Sequence, residues 1–266
     1  MASYDLRYST STITAGNFAS ATVISGLGTP KSAGSAESFT ASNLPTGRVV
    51  YFAIKSADNS GNVSAISNVP SAQSNRGSVT LQNGVSGYGG TTDSYIQQPN
   101  PTVNYNSTER MRVCGFGSGN YQRGIVRFDL SSYAPNSTIT SATLYVYAYD
   151  QASWRGSTGY YGMYPLTRGF TDSQVTWNIA STGVNWTTAG GDFNGTADGT
   201  APKQGSASVW YQFTVTSRVQ SMINGPSGNY GWVLKCTDES LSNQDSFYQA
   251  STTNSTYRPK LVINDN

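Results

Sequence analysis

The sequence predicts an all-β chain divided into two domains, and three observations carry that prediction. Between Tyr121 and Asp150, Val126, Phe128 and Leu130 alternate with Ile125, Arg127 and Asp129, and Leu144, Val146 and Ala148 alternate with Tyr145, Tyr147 and Tyr149. This is the period of two that half-buried strands require. Gly, Ser, Thr, Asn and Tyr are abundant, charged residues make up 11%, and no long apolar stretch at helical spacing occurs, a composition that suits short strands joined by polar turns. Aromatic residues reach 12% of 266, enough apolar side chain to hold a core rather than leave the chain disordered.

In order along the chain, residues 4–69 read as the strands YDLRYS, ATVISG, ESFTASNL, VVYFAIKSAD and NVSAISNV. Asp58, Asn59, Ser60, Gly61 and Asn62 form a turn cluster among them. Residues 70–77, PSAQSNRG, are short and polar and read as a linker. Val79 and Leu81 open the next domain, and a glycine-rich loop follows. No helix follows either glycine-rich segment, which rules out a phosphate loop. Pro135 and Asn136 lie in the link between the two alternating strands, so these read as a pair with one aliphatic face. Arg123, Arg127, Asp129 and the three tyrosines fall on the opposite face. A strand is expected around Tyr161–Leu166, with Thr171 or Asp172 in a turn before Val175 and Trp177. The stretch from Ser181 to Gly205 reads as a long loop that covers a face or contributes to a site. Thr216 is positioned to cap a short helix with Val219, Met222 and Ile223 as its apolar stripe and Gly225-Pro226 as its stop. Phe247 and Tyr248 mark one more strand, and Leu261, Val262 and Ile263 the last.

Net charge is +2, from 16 basic and 14 acidic residues, so the overall balance carries no nucleic-acid footprint. No apolar run approaches the ~20 residues of a membrane span, and the start MASYDLRYS has no signal-peptide core. Of the two cysteines, Cys236 shares a side with Trp232 and Leu234. Val113 and Met111 take the inward side of the other strand and turn Cys114 outward. Two unpaired thiols are therefore the expectation.

YDLRYS, ESFTASNLPTG and YFAIKSADNSGNVSAISN resemble the later strands of a fibronectin type III domain of bacterial exported proteins, without the two strands that normally precede them. From Val79 to Ile263, GIVRFDLSSYAPNSTITSATLYVYAY, TDSQVTWN, YQFTVTSRVQSMINGPSGNYGWVLK and FYQAS...YRPKLVI resemble the DNRLRE domain in order. That family is also known as the family 96 carbohydrate-binding module and looks related to the disaggregatase-associated repeats. The resemblances imply a jelly-roll β-sandwich preceded by a truncated fibronectin type III, immunoglobulin-like sandwich. The domains are then 1–69, a 70–77 linker and 78–266, in an extracellular or cell-surface setting with a polysaccharide partner.

The residues themselves favour binding over catalysis. Histidine is absent, which removes Ser-His and Cys-His pairs and the commonest general base. Among Asp93, Asp129, Asp150, Asp172, Asp192 and Asp245 no spacing selects a hydrolytic pair. No enzyme is expected. Rings stack on the apolar faces of sugars, and Tyr145, Tyr147 and Tyr149 on one side of a strand stand roughly 6.5–7 Å apart, comparable to sugar units. Arg112, Arg123, Arg127 and Lys235 also point away from the core, and arginine can grip a uronate carboxylate with two bonds. Asp93 and Asp129 offer hard oxygen ligands for a structural calcium ion; no other cofactor is expected. Arg258 and Lys260 read as anchors of the last strand. The alternative class is a cell-surface or filament subunit that self-associates by strand donation into the incomplete fibronectin domain.

Overall fold

The structure, a computed structural model, describes residues 2–32, 34–74, 77–117, 119–133, 135, 137–149, 158–206, 208–225 and 227–265, apart from the side chains of Ser242 and Asn243. Residues 1–76 and 77–265 form separate compact units. In the first, β1 (Ser3–Ser9), β2 (Thr22–Val23), β3 (Val49–Ala57) and β4 (Ser71–Gln73) make one antiparallel sheet in the order β2-β1-β3-β4. Ile13, Phe18 and Ala53 form its small core. Three expectations are corrected here. NVSAISNV forms no strand and pairs through the isolated Ala57–Val63 bridge. ESFTASNL joins no ladder, and the segment read as a linker supplies β4, which pairs with Val49–Tyr51.

The second unit opens with β5 (Gly77–Leu81), β6 (Thr91–Gln97), β7 (Arg110–Phe116), β8 (Tyr121–Phe128) and β9 (Ile139–Tyr147). Then come β10 (Tyr160–Pro165), β11 (Ile179–Ser181), β12 (Val184–Asn185), β13 (Gly199–Pro202) and β14 (Trp210–Thr214). The helix α1 (Thr216–Asn224) precedes β15 (Trp232–Cys236), β16 (Ser242–Tyr248) and β17 (Lys260–Asp265). One sheet runs β13-β10-β15-β8-β7-β16, with β6 off this path and paired with β8; the other runs β14-β9-β17-β5. Tyr161, Val126, Phe128, Trp232 and Leu234 of the first meet Leu144, Val146, Phe213, Leu261 and Ile263 of the second in one core. The unit is an all-β sandwich.

The alternation in β8 and β9 thus gives the inward sets correctly, but the two strands are not partners. β8 pairs with β6 and β15, and β9 with β14 and β17. The link between them crosses from one sheet to the other, because pleating fixes which side chains face the core and leaves the neighbouring strand unspecified.

The cysteines correct the sequence expectation outright. Cys114 has φ 77°, a left-handed backbone that interrupts the pleat of β7 and turns its side chain to the same side as Val113. Cys114 and Cys236 are both buried and form a disulfide with Cα atoms 5.1 Å apart. It ties β7 to β15. The helix also starts differently: Val215 is its N-cap, and the Thr216 hydroxyl accepts from the Ala142 N–H of β9 instead of capping. Gly225, at φ 88°, ends it in the left-handed conformation.

Candidate functional site

The outward sides of the two sheets carry the two halves of the expected binding face. On β9, Leu144, Val146 and Ala148 are buried, so Tyr145, Tyr147 and Tyr149 stand outside, each half-buried. Trp210 of β14 lies opposite Tyr147 in the register. Tyr211 and Phe213 take the inside of that strand, which places Trp210 outward. β16 reaches the end of β9 through the Ala148–Phe247 bridge and the bond from Tyr149 N–H to the Ser246 carbonyl. Phe247 turns in, and Tyr248 turns out beside the tyrosines.

Together these elements build a continuous aromatic cluster on the outer surface. Tyr147 stacks on Tyr257 with centroids 4.2 Å apart and meets Trp210 edge-on at 5.0 Å. Tyr248 lies 5.0 Å from Tyr149 and 5.2 Å from Tyr257. Cations border it: Lys260 Nζ lies 4.2 Å over Trp210, and the Arg110 guanidinium 4.5 Å over Tyr149. Arg112 is exposed one pleat further along β7 from Arg110. The platform spreads across three strands and the 255–257 turn, instead of running as an evenly spaced ladder along β9. Tyr147 is held in place, its hydroxyl donating to the Ser208 carbonyl at 2.9 Å.

Arg123, Arg127 and Lys235 lie elsewhere, on the outward side of the other sheet, which corrects the single face expected from the sequence. That side is covered. Ile96, Ile125 and Val233 pack beneath Leu166, Phe170, Val175, Trp177, Ala180 and Trp186 in a second core. The Ser181–Gly205 segment contributes to this cover, and it contains β12 and β13 where a structureless loop was expected. Arg123 donates twice to Glu239, at 2.8 Å each, and once to the Gly190 carbonyl at 2.7 Å. Lys235 reaches the same carboxylate at 3.1 Å. Arg127 stands 5.4 Å over the Phe170 ring. Only glycine fits at position 190, since φ is +96° and a Cβ there would come within 2.5 Å of Arg123 Nη1.

An open polar concavity of about 520 Å³ lies over this covered side, lined in part by Arg123, Arg168, Thr187, Thr188 and Asp192. Its charges bind one another: Arg168 meets Asp192 at 2.9 Å, and the N–H groups of Thr187 and Thr188 donate to the same carboxylate at 3.0 Å each.

Asp93 and Asp129 are engaged separately. Asp93 is buried and accepts from the Ala250 N–H at 2.7 Å. Burial pushes its carboxyl up to about 7; the Ala250 bond opposes the rise and the charge of Asp172 adds to it. Asp129 is exposed and accepts from the Ser131 N–H and hydroxyl. Among the described residues no group of three or more carboxylate, cysteine or histidine side chains could hold a metal ion. Arg258 anchors the chain as expected, donating to the Thr252 and Asn83 carbonyls. Lys260, read as another anchor, borders the aromatic cluster. Asp150 lies outside the described residues.

The profile of the family described as the disaggregatase related repeat domain matches residues 93–263. The chain belongs to the disaggregatase-related repeat family. The match contains the whole aromatic cluster and the second core, and all of the main core except Leu81 and the residues of 77–92 packed with it. No curated protein matches the chain. Among the platform residues of this disaggregatase-related repeat, Trp210 and Tyr248 were missed from the sequence, although alternation with the buried Tyr211 and Phe247 was the signal that points to them. Tyr257 carried no such signal, because it sits in a short turn with no periodicity.

Proposed function

We propose that this chain is a noncatalytic polysaccharide-binding module of an extracellular or cell-surface protein. The proposal includes the finer relationships: a DNRLRE-type, family 96 carbohydrate-binding domain after a partial fibronectin type III domain. The observation that carries it is the outward aromatic cluster of Tyr145, Tyr147, Tyr149, Trp210, Tyr248 and Tyr257. Rings gathered on an open sheet face offer apolar surface to the C–H faces of sugars. Arg110, Arg112 and Lys260 favour an acidic glycan such as a uronate polymer. A guanidinium stacked by its face keeps its N–H fork for a carboxylate. The disulfide suits an oxidising compartment.

Retention on immobilised acidic and neutral glycans tests the reading. Trp210→Ala and Tyr147→Ala are expected to abolish retention, whereas Arg127→Ala, on the covered side, is expected to keep it. Unchanged retention in both ring variants would remove the proposal.

A surface or filament subunit is the second reading, and one feature of the first unit favours it. Leu6 and Ile54 are register partners on a partly exposed side of the sheet, in a concavity that Phe39 also lines. Filaments in electron micrographs would support it, and a strictly monomeric chain at high concentration would count against it.

A further inference from the structure

Deep in the second unit, away from the aromatic platform, a lysine and an aspartate meet where water is excluded. Lys203 directly follows β13, and Asp245 lies in β16; these strands are the two ends of one sheet path. Lys203 Nζ is 2.6 Å from Asp245 Oδ2, and both side chains are 0% exposed. The Tyr161 hydroxyl donates to the same oxygen, and Nζ stands 5.0 Å over the Tyr161 ring. Tyr211 and Phe247 enclose Tyr161 edge-on at 4.9 and 5.2 Å. The disulfide sulfur of Cys236 is 3.8 Å from Nζ.

We propose that Lys203 and Asp245 become joined by an intramolecular amide bond, a covalent modification that closes the sheet from its first strand to its last. Three features favour this over a lasting ion pair. Desolvating both charges is costly, and the neutral amine and acid that proton transfer would produce avoid that cost. Two groups held in contact react as if at an effective concentration of about 10⁵ M or more. The site also excludes the water that would reverse the condensation.

The step balances without an outside reagent. A proton passes from the Lys203 ammonium to the Asp245 carboxylate, and the freed Nζ lone pair attacks Cγ. The new N–C bond forms and the Cγ–Oδ2 bond breaks. Oδ2 leaves as water, carrying the proton it received and a second one lost from Nζ. Tyr161, already donating to Oδ2, is the group placed to relay that proton. Nothing is oxidised or reduced.

The resulting tie would lie beside the Cys114–Cys236 disulfide, so two covalent links would meet in one layer of the core. β13 and β16 would no longer separate by shear, and the path between them would resist unravelling from either end.

Intact-mass measurement of the folded, purified chain after denaturation and full reduction tests the bond. The expected mass lies about 18 Da, one water, below that of the sequence. Proteolysis should release a branched peptide joining the segments of Lys203 and Asp245, and Lys203→Met should restore the full sequence mass. A wild-type chain at full sequence mass, with the two residues recovered in separate linear peptides, overturns the proposal and leaves an ordinary buried ion pair. When chains recovered unfolded from inclusion bodies, still at full sequence mass, are folded for the first time, Tyr161→Phe is expected to slow the appearance of the lighter species by 10-fold or more, measured by the same mass shift. An unchanged rate would overturn the relay assigned to Tyr161.

Discussion

The two outward faces of the 77–265 unit start from the same strand alternation and end in opposite conditions. On the β14-β9-β17-β5 side the outward residues are large rings that pack on one another and remain half exposed. On the β8-β15 side they are Ile125, Val233, Arg123 and Lys235, and a long excursion of the chain lies over them. The difference comes from what each face offers. Aliphatic residues on both sides of β8 demand a second cover, and Trp177 and Trp186 supply it. The rings of β9 satisfy part of their apolar surface against neighbouring rings and leave the remainder open to a ligand. Charge follows the same division. On the covered side Arg123 and Lys235 share Glu239, whereas Arg110 and Lys260 on the open side lie over aromatic faces.

Removing the carboxylate that holds the covered side should have the largest effect. Glu239→Ala leaves Arg123 and Lys235 partly buried beside each other without their shared partner, at a cost of up to about 5 kcal/mol. Chemical denaturation should show that loss, while the fraction still folded keeps its glycan retention. If retention fell in proportion to the stability loss and did not follow the folded fraction, the two faces would not be independent.

The covered sheet should also set the response to pH. Asp93 has its carboxyl pushed up to about 7 in the folded protein, so the folded state keeps a proton that the unfolded chain releases near 4. Its contribution to stability is fully present below about pH 4 and is lost as pH rises through about 7, a difference of about 4 kcal/mol. Asp93→Asn should flatten that slope, making the variant the more stable protein near pH 8 and leaving glycan retention unchanged. Urea midpoints at about pH 4 and about pH 8 decide it.

The sequence made one level of this organisation legible and hid another. Orientation was readable: Val126, Phe128, Leu144 and Val146 do face the core, because pleating fixes side. Pairing was not, since β8 and β9 have the same outward pattern whether they are neighbours or lie in opposite sheets. Extending the period of two through Cys114 hid the disulfide, because a backbone at positive φ sets Cys114 on the same side as Val113. The platform was half visible. Tyr145, Tyr147 and Tyr149 came from alternation, but Tyr257 and Lys260 join them only through the return of β17 beside β9. The Lys203–Asp245 contact unites two residues from opposite ends of a wound sheet, and no local pattern announces it.

On the open face, Trp210→Ala should weaken glycan binding by about 10-fold or more, roughly 1–2 kcal/mol. Trp210 contacts both Tyr145 and Tyr147, the latter the ring that joins it to Tyr248 and Tyr257. Its half exposure keeps the expected stability loss smaller than that of Glu239→Ala. Titration calorimetry with an oligosaccharide identified by retention measures the first quantity, and denaturation measures the second.

The smallest effect expected is that of Lys260→Met, and it is the one that separates ring stacking from charge. Lys260 covers one side of Trp210 and points toward Tyr145, so methionine preserves much of the packing while removing the cation. Affinity for an acidic glycan should fall by about 0.5–1 kcal/mol, and affinity for a neutral glycan of the same length should stay the same or rise slightly. The loss should shrink as salt is raised, because an exposed charge pair is screened over about 8–10 Å at ordinary ionic strength. Equal losses for acidic and neutral ligands would mean that Lys260 acts through the position of Trp210, and the preference for uronates would then fall to Arg110 and Arg112 alone.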